Sequence, residues 1–309
     1  MFRKLGFREL STLKKSIAPF NMEESVLVPN PRSLMLKMQD FCEAGCQNTQ
    51  VVTDFDFTLT KYYNNGAKGI ATHQVLYRSI DSNTAEYMNQ LRAHYQKFET
   101  SSEIPDYQRK QLLKEWYSKV NQAVLSSNLT KDKLYRTVWD SPIFLRSGIQ
   151  QAVQTCEESQ IPMTVVSAGI GNVIETLLGQ FSKAPQIVSN FIQWTPSGQP
   201  SCFSEPTIHP LDKSKVFKNK PIRSHVLVMG DMPSDAKQVE KAEYTNSIKV
   251  GFLNDPKVFC VEEFKENFDI IVLKDGNLAV LNLILELISG KELYPEDYPT
   301  LSQLVPVRS

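Results

Sequence analysis

Asp54-Phe55-Asp56-Phe57-Thr58 follows directly on the apolar pair Val51-Val52, and no other segment constrains the fold as much. Alternate side chains of an extended segment point the same way, so both acids can reach a common site. Neighbouring carboxylates repel, and a short run that keeps two of them needs a cation or a proton to offset the repulsion. The plain alternative is a strand that ends in a solvated acidic turn. Two later segments argue against it. Met163-Thr164-Val165-Val166 is a second β-branched run, ending in Ser167-Ala168-Gly169 ahead of a helical pattern at Val173, Ile174, Leu177 and Leu178. Val226-Leu227-Val228-Met229 is a third, ending in Gly230-Asp231 and followed by Asp235. Each reads as a strand delivering polar groups at its carboxyl end. A glycine-containing turn with a hydroxyl beside a helix start suits a phosphate oxygen. Lys213, between the second and third runs, is a candidate cation for that phosphate.

This ordered set of an acid pair, Ser167, Lys213 and a second acid pair resembles the haloacid dehalogenase-like (HAD) phosphohydrolases. Four further segments narrow the resemblance to the cytosolic 5'-nucleotidase III family, the pyrimidine 5'-nucleotidases. They are Ser167-Ala168-Gly169-Ile170-Gly171, Val188-Ser189-Asn190-Phe191, Gly251-Phe252-Leu253-Asn254-Asp255 and Glu115-Trp116-Tyr117. The likeness runs from roughly Leu36 to Leu287. It implies an α/β fold: a Rossmann-like parallel sheet core of HAD type with a helical cap inserted after the first core strand. The corresponding division is an N-terminal extension over 1–22, a core over 23–60 and 140–309, and a cap over 61–139.

The resemblance also implies a chemistry. The chain would be a Mg²⁺-dependent 5'-nucleotidase hydrolysing pyrimidine nucleoside 5'-monophosphates through an aspartyl-phosphate. Asp54 takes the nucleophile's role and Asp56 that of general acid and base. Asp54, the backbone carbonyl of Asp56, and Asp231 ligate the metal, and Asp235 orients the metal site or Lys213. Ser167, the Ala168 backbone and Lys213 hold the transferring phosphoryl oxygens. Glu99 aligns with the acidic residue that reads the base, and a carboxylate there favours a base with an exocyclic amine. Trp116, Tyr117, Tyr95 and Phe98 are stacking candidates, although their helical spacing suits a cap core equally well. Two departures from the family pattern stand out, the first bearing on base preference and the second on the geometry of the loop between Asp231 and Asp235. Val120-Asn121 stands where relatives carry serine and histidine, and Met232-Pro233-Ser234 where Ser-Gln-Gly is usual. The choice among CMP, UMP and 7-methyl-GMP therefore stays open. So do two other readings: a HAD phosphatase of another small phosphate ester, and a catalytically silent HAD-fold binding or regulatory protein. Retention of Asp54, Asp56, Ser167, Lys213 and Asp231 argues against the last.

Composition agrees with these expectations. At 309 residues and 41% hydrophobic, the chain can bury one large core or a core plus a cap. With 34 basic and 34 acidic residues, a nucleic-acid surface is not expected. Five cysteines without paired metal-site spacing read as reduced thiols of a cytoplasmic protein. No apolar stretch reaches membrane-spanning length. Residues 1–20 hold five cations against Glu9 alone, a composition compatible with a mitochondrial transit peptide, although a solvated or disordered extension is the preferred reading. A monomer is expected, since the cap already covers the site.

Local patterns predict a helix from about Glu23 to Cys46 and loop-like chain from Thr60 to Ser82, with a turn at Asn64-Asn65-Gly66. A helix follows with Tyr87, Leu91, Tyr95 and Phe98 on one face, then another over 106–125 with a stripe of Leu112, Leu113, Trp116, Val120 and Val124. Thr130 caps a third, later strands centre near Val165, Val226, Ile248 and Ile270, and Leu281 to Ile288 forms a terminal amphipathic helix.

Overall fold

A computed structural model of the chain describes residues 26–64, 66–99, 103–218, 220–257 and 260–291. The expected N-terminal extension and its targeting composition lie outside these residues. Five parallel strands form the centre: β2 (Thr49–Thr53), β5 (Met163–Ile170), β6 (Gln186–Asn190), β9 (His225–Gly230) and β10 (Asn246–Leu253). β11 (Ile270–Leu273) extends the parallel set, and β1 (Val26–Leu27) closes that edge antiparallel to it. The sheet order is β1-β11-β10-β9-β2-β5-β6.

Alternation sorts the side chains of these strands. Val51, Val165, Leu227 and Met229 join the large core on one face. Val52, Val166, Val226 and Val228 pack on the other, against Phe217 and Val239. Strands covered on both faces read as apolar or β-branched runs rather than alternating ones, which made β5 and β9 legible in the sequence, while β2 offers only Val51-Val52 between Gln50 and Thr53. The large core is completed by α1 (Pro31–Ala44), α6 (Ile149–Glu158), α7 (Gly171–Leu178) and the last described helix, Ala279–Ile288. α1 starts sharply because the Asn30 side chain accepts from Ser33 N and Pro31 opens the first turn. Its Leu34, Met38 and Phe41 lie on one face and are buried.

From β2 the chain runs outward to β5 and β6, then returns to β9, β10 and β11 on the opposite side. In open α/β sheets such a reversal leaves a crevice at the carboxyl ends of the strands. Between β2 and β5 the chain inserts a small hairpin, β3 (Tyr63–Asn64) with β4 (Ala67–Lys68), and four helices: α2 (Thr72–Arg78), α3 (Ser82–Glu99), α4 (Asp106–Leu125) and α5 (Lys131–Asp140). Thr130 caps α5 by accepting from Lys133 N.

Several local expectations need correction. The segment read as helix from Glu23 holds the edge strand β1, and helix begins only at Pro31; Glu23 to Ser25 lie outside the described residues. The segment read as loop from Thr60 to Ser82 contains the hairpin and α2. The cap of α2 is only partly local: Gln74 Oε1 accepts from Ala71 N, but Ala71 supplies no side-chain oxygen and the Thr72 N–H is taken by Asp56 Oδ1, 16 residues earlier in sequence. The buried stripe of α3 is Met88, Leu91 and Tyr95, with Tyr87 turned outward at 45% exposure. Ser167-Ala168-Gly169 is not a turn but part of β5, in a stretch where the pairing with β6 shifts register between Val166 and Ile170. The hairpin β7 (Ile192–Trp194) with β8 (Pro200–Phe203) was not foreseen.

Candidate active site

Three adjacent strands present their carboxyl ends to one cleft of about 1300 Å³. Asp54 follows the last residue of β2, where its N–H still bonds Met229 O at 3.0 Å. Asp231 follows β9, and Ser167 lies in the irregular end of β5. Asp235 reaches the same point because Gly230 makes room for it. A Cβ at Gly230 would lie 2.0 Å from Asp235 Cβ, so no other residue fits there without shifting the loop. Asp235 is held further by Met232 N, which donates to its Oδ2 at 3.1 Å.

Carboxylate oxygens of Asp54, Asp231 and Asp235 lie within 4.8 Å of one another, and all three residues are buried. Lys213, on the 3₁₀ turn Pro210–Phe217, donates to Asp54 Oδ1 at 2.5 Å and to Asp235 Oδ1 at 2.8 Å. A single ammonium cannot balance this many buried acids. Burial pushes the Asp54 carboxyl up to about 7, with Lys213 pulling down and Asp235 adding to the rise. Burial also raises Asp231 far above the usual carboxylate range, and Asp54 and Asp235 raise it further. Burial works against the charge on Lys213, but Asp235 and Asp54 outweigh it and keep the ammonium protonated. A hard divalent cation with oxygen ligands fits this set by charge and by donor type.

The Asp56 carboxylate is outside that converging set and faces Thr72. Burial lifts its carboxyl to about 6 against the lowering effect of the Thr72 hydrogen bonds. Between Asp56 and Thr58 the chain turns through Phe57 at φ 61°, a conformation that side chains with a Cβ rarely adopt. The Phe57 carbonyl is fixed by Arg146 Nη2 at 2.7 Å and Asn254 Nδ2 at 2.9 Å.

On the β5 side of the cleft, Ser167 Oγ accepts from Gly169 N at 3.0 Å. The Ala168 carbonyl accepts from Asn190 Nδ2 at 2.9 Å and from the Tyr117 hydroxyl at 3.2 Å. Asn190 also pairs with the Ile208 backbone, donating to its carbonyl and accepting from its N–H, both at 2.8 Å. It thereby ties the Ser167–Gly169 stretch to the chain that leads to Lys213. Glu99, in the last turn of α3, lines the cleft with Trp116 and Tyr117 of α4. Burial raises its carboxyl, Lys213 lowers it and Asp235 adds to the rise. Trp116 stacks on Tyr95 with rings 7° from parallel and centroids 6.2 Å apart.

Sequence reading did not single out Thr72, Arg146 or the tie made by Asn190. Asn190 and Asn254 sit in segments that carry the family resemblance, so a signal existed for them. Thr72 and Arg146 gave none, because each acts through partners distant in sequence.

The family model for the pyrimidine 5'-nucleotidases (UMPH-1) matches residues 57–289, well over half of the chain. The chain belongs to the pyrimidine 5'-nucleotidase (UMPH-1) family. The matched range opens at Phe57, immediately after Asp56. Curated relatives of this pyrimidine 5'-nucleotidase family member include the Gallus gallus 7-methylguanosine phosphate-specific 5'-nucleotidase. That protein is 26% identical over 285 residues, covering 88% of this chain and 99% of the relative. The Homo sapiens protein of the same description is 26% identical over 291 residues, covering 90% and 94%. Among solved structures, a cytosolic 5'-nucleotidase IIIB bound to cytidine superposes with a TM-score of 0.79 at 23% identity, covering 87% of this chain and 95% of that one. A HAD family hydrolase from Salmonella enterica gives a TM-score of 0.51 at 11% identity, covering 80% and 73%. The fold is thus HAD-like and mixed α/β, and the family makes the chain a 5'-nucleotidase hydrolase. Among the described residues, no helix is long and apolar enough to cross a membrane.

Proposed function

We propose that the protein hydrolyses nucleoside 5'-monophosphates at this cleft, with Mg²⁺ as cofactor and Asp54 as the phosphoryl acceptor. The observation that carries the reading is the convergence of buried Asp54, Asp231 and Asp235 with Lys213 at the strand ends. Asp54, Asp231 and the backbone carbonyl of Asp56 would hold the cation, while Asp235 steadies Lys213. When bound, Mg²⁺ supplies the positive charge that lets a carboxylate approach an anionic phosphate.

A carboxylate oxygen of Asp54 attacks phosphorus, and the ester P–O bond breaks as the new bond forms. Asp56 gives its proton to the departing 5'-oxygen, then takes one from the water that releases phosphate and regenerates the Asp54 carboxylate. Ser167, the Ala168 backbone and Lys213 hold the phosphoryl oxygens through both steps. Glu99 reads the base by accepting from an exocyclic amine, which favours cytosine or 7-methylguanine over uracil. The helical insertion over 61–139 acts as the cap that supplies this contact, carried by the core over 23–60 and 140–309. We also expect a cytoplasmic monomer.

Phosphate release from CMP, UMP, AMP, GMP, 7-methyl-GMP and sugar phosphates, with Mg²⁺ and with EDTA, tests the reading. Release confined to amine-bearing nucleotides and lost in EDTA is expected. Activity only on non-nucleotide esters would discard the Glu99 assignment, and silence on every ester would favour a regulatory role.

The same site predicts a pH dependence. In the metal-free protein the raised Asp54 and Asp231 carboxyls keep protons that the unfolded chain loses above about pH 4. Their contribution to stability is complete below that point and fades as pH rises through about 7, the folded value for Asp54. A cation that binds the ionised form therefore stabilises more at higher pH. The rise in melting temperature given by Mg²⁺ over EDTA should grow between about pH 5 and about pH 8. His73, whose imidazole burial pushes down to about 4, contributes stability that is lost as pH falls below its unfolded value. That loss is common to both arms of the comparison and cancels. A Mg²⁺ increment that shrinks with pH would contradict the metal site.

A further inference from the structure

Both oxygens of Asp56 are gripped by one residue. Thr72 N donates to Oδ1 at 2.8 Å, and the Thr72 hydroxyl donates to Oδ2 at 2.8 Å. Thr72 is itself fully buried, at 0% exposure. Its hydroxyl oxygen accepts from Ile170 N at 3.1 Å, so the backbone of β5 holds that oxygen while its proton points at Asp56. The crowding is tight. A Cβ at Gly169 would lie 2.1 Å from Thr72 Oγ1 and 2.9 Å from Asp56 Oδ2. Three parts of the chain therefore meet at one hydroxyl: the turn after β2, the start of α2 and the end of β5.

We propose that Thr72 is a positioning residue for the proton transfer, holding the Asp56 carboxyl toward the cleft and away from the Asp54–Asp231–Asp235 cluster. This rests on the acid and base role given to Asp56 above. The physical need follows from sequence spacing. A carboxylate next but one to Asp54, at the edge of a cation site, is drawn toward the cation, and one that binds the cation cannot deliver a proton. Two hydrogen bonds from a single residue oppose that swing, since moving the carboxylate would break both. Each bond to a charged acceptor is stronger than a neutral one. Thr72 also opens α2, so the grip couples the helical insertion to the acid.

The expected signature depends on the leaving group. As the Asp54–phosphorus bond forms and the ester bond breaks, the departing nucleoside 5'-oxygen needs the Asp56 proton. A nitrophenolate leaves without one. We therefore expect Thr72→Val to lower kcat/KM for the best nucleoside monophosphate by about ten- to a hundredfold, the scale of a hydrogen bond to a charged group. For p-nitrophenyl phosphate the loss should be below about threefold. Thr72→Ser, which keeps the hydroxyl, should recover most of the nucleotide activity. Asp56→Asn serves as the reference and should show the same selectivity more strongly.

Equal losses on both substrates would reduce Thr72 to a structural role, and no loss on either would remove it from the account. If Thr72→Val does not fold, Thr72→Ala removes the same hydroxyl without adding bulk and should give the same selective loss; an even loss there overturns the proposal. If Asp56→Asn itself shows no selectivity, it is the acid assignment that fails, a result distinguishable from failure of Thr72 alone.

Discussion

Asp54→Asn is expected to abolish phosphate release while leaving the protein folded. An amide is nearly isosteric with the carboxylate but cannot attack phosphorus, so the loss should be on the order of 10⁴-fold or more. The fold should tolerate the change because the native carboxyl gains little from its setting. Burial pushes it up to about 7, so above that pH the site holds a charge the folded protein disfavours. Lys213 keeps its bond to Asp235 at 2.8 Å when Asp54 loses its charge. Thermal unfolding in EDTA should therefore show the variant at least as stable as the wild type near pH 8. Appreciable turnover by a folded Asp54→Asn protein would refute the nucleophile assignment.

Arg146→Met is expected to give the largest loss of stability. The guanidinium is fully buried at 0% exposure and lies over the Phe252 ring, 4.5 Å from its centroid. It donates to the carbonyls of Phe57, Thr58 and Thr60 and to that of Gly276. It also donates to Asn254 Oδ1 at 3.0 Å and pairs with Asp275 at 2.8 Å. Asp275 in turn accepts from the N–H groups of Tyr62 and Tyr63. Removing the cation leaves the half-buried Asp275 carboxylate without its cationic partner and several carbonyls without donors, at a cost of about 3–5 kcal/mol. Lysine cannot replace it, because a point charge lacks the planar fork that meets these acceptors together. Urea denaturation measures the effect, and a loss under about 1 kcal/mol would show the network to be dispensable. Activity should fall as well, since the Phe57 carbonyl that fixes the turn after Asp56 loses one of its two donors.

These two residues mark what the sequence did and did not disclose. Asp54 was legible because, with Asp56, it forms an acid pair just after the apolar Val51-Val52, in a strand covered on both faces. Ser167 and Asp231 were legible as the polar ends of two further such strands, and β2, β5 and β9 are neighbours in the sheet. Lys213 was visible as a cation between two strand ends. Arg146 was not, since nothing local separates a buried arginine with distant partners from a solvated one. Thr72 and α2 were missed because the helix takes part of its cap from Asp56 across the fold. The edge strand β1 was missed because two residues give no periodicity, and pairing with β11 alone defines them. The stripe expected on α4 was partly right: Leu113 and Val124 are buried, while Leu112 is half-buried and Trp116 and Val120 line the cleft.

The most direct test of the central claim is to locate the phosphoryl group during turnover. The enzyme would be acid-quenched while processing a labelled nucleoside 5'-monophosphate, and its peptides analysed by mass spectrometry. A phosphorylated peptide spanning Thr53 to Thr58, modified at Asp54 and absent from Asp54→Asn, is expected. Rapid turnover with no label on Asp54, or with label on another residue, would contradict it.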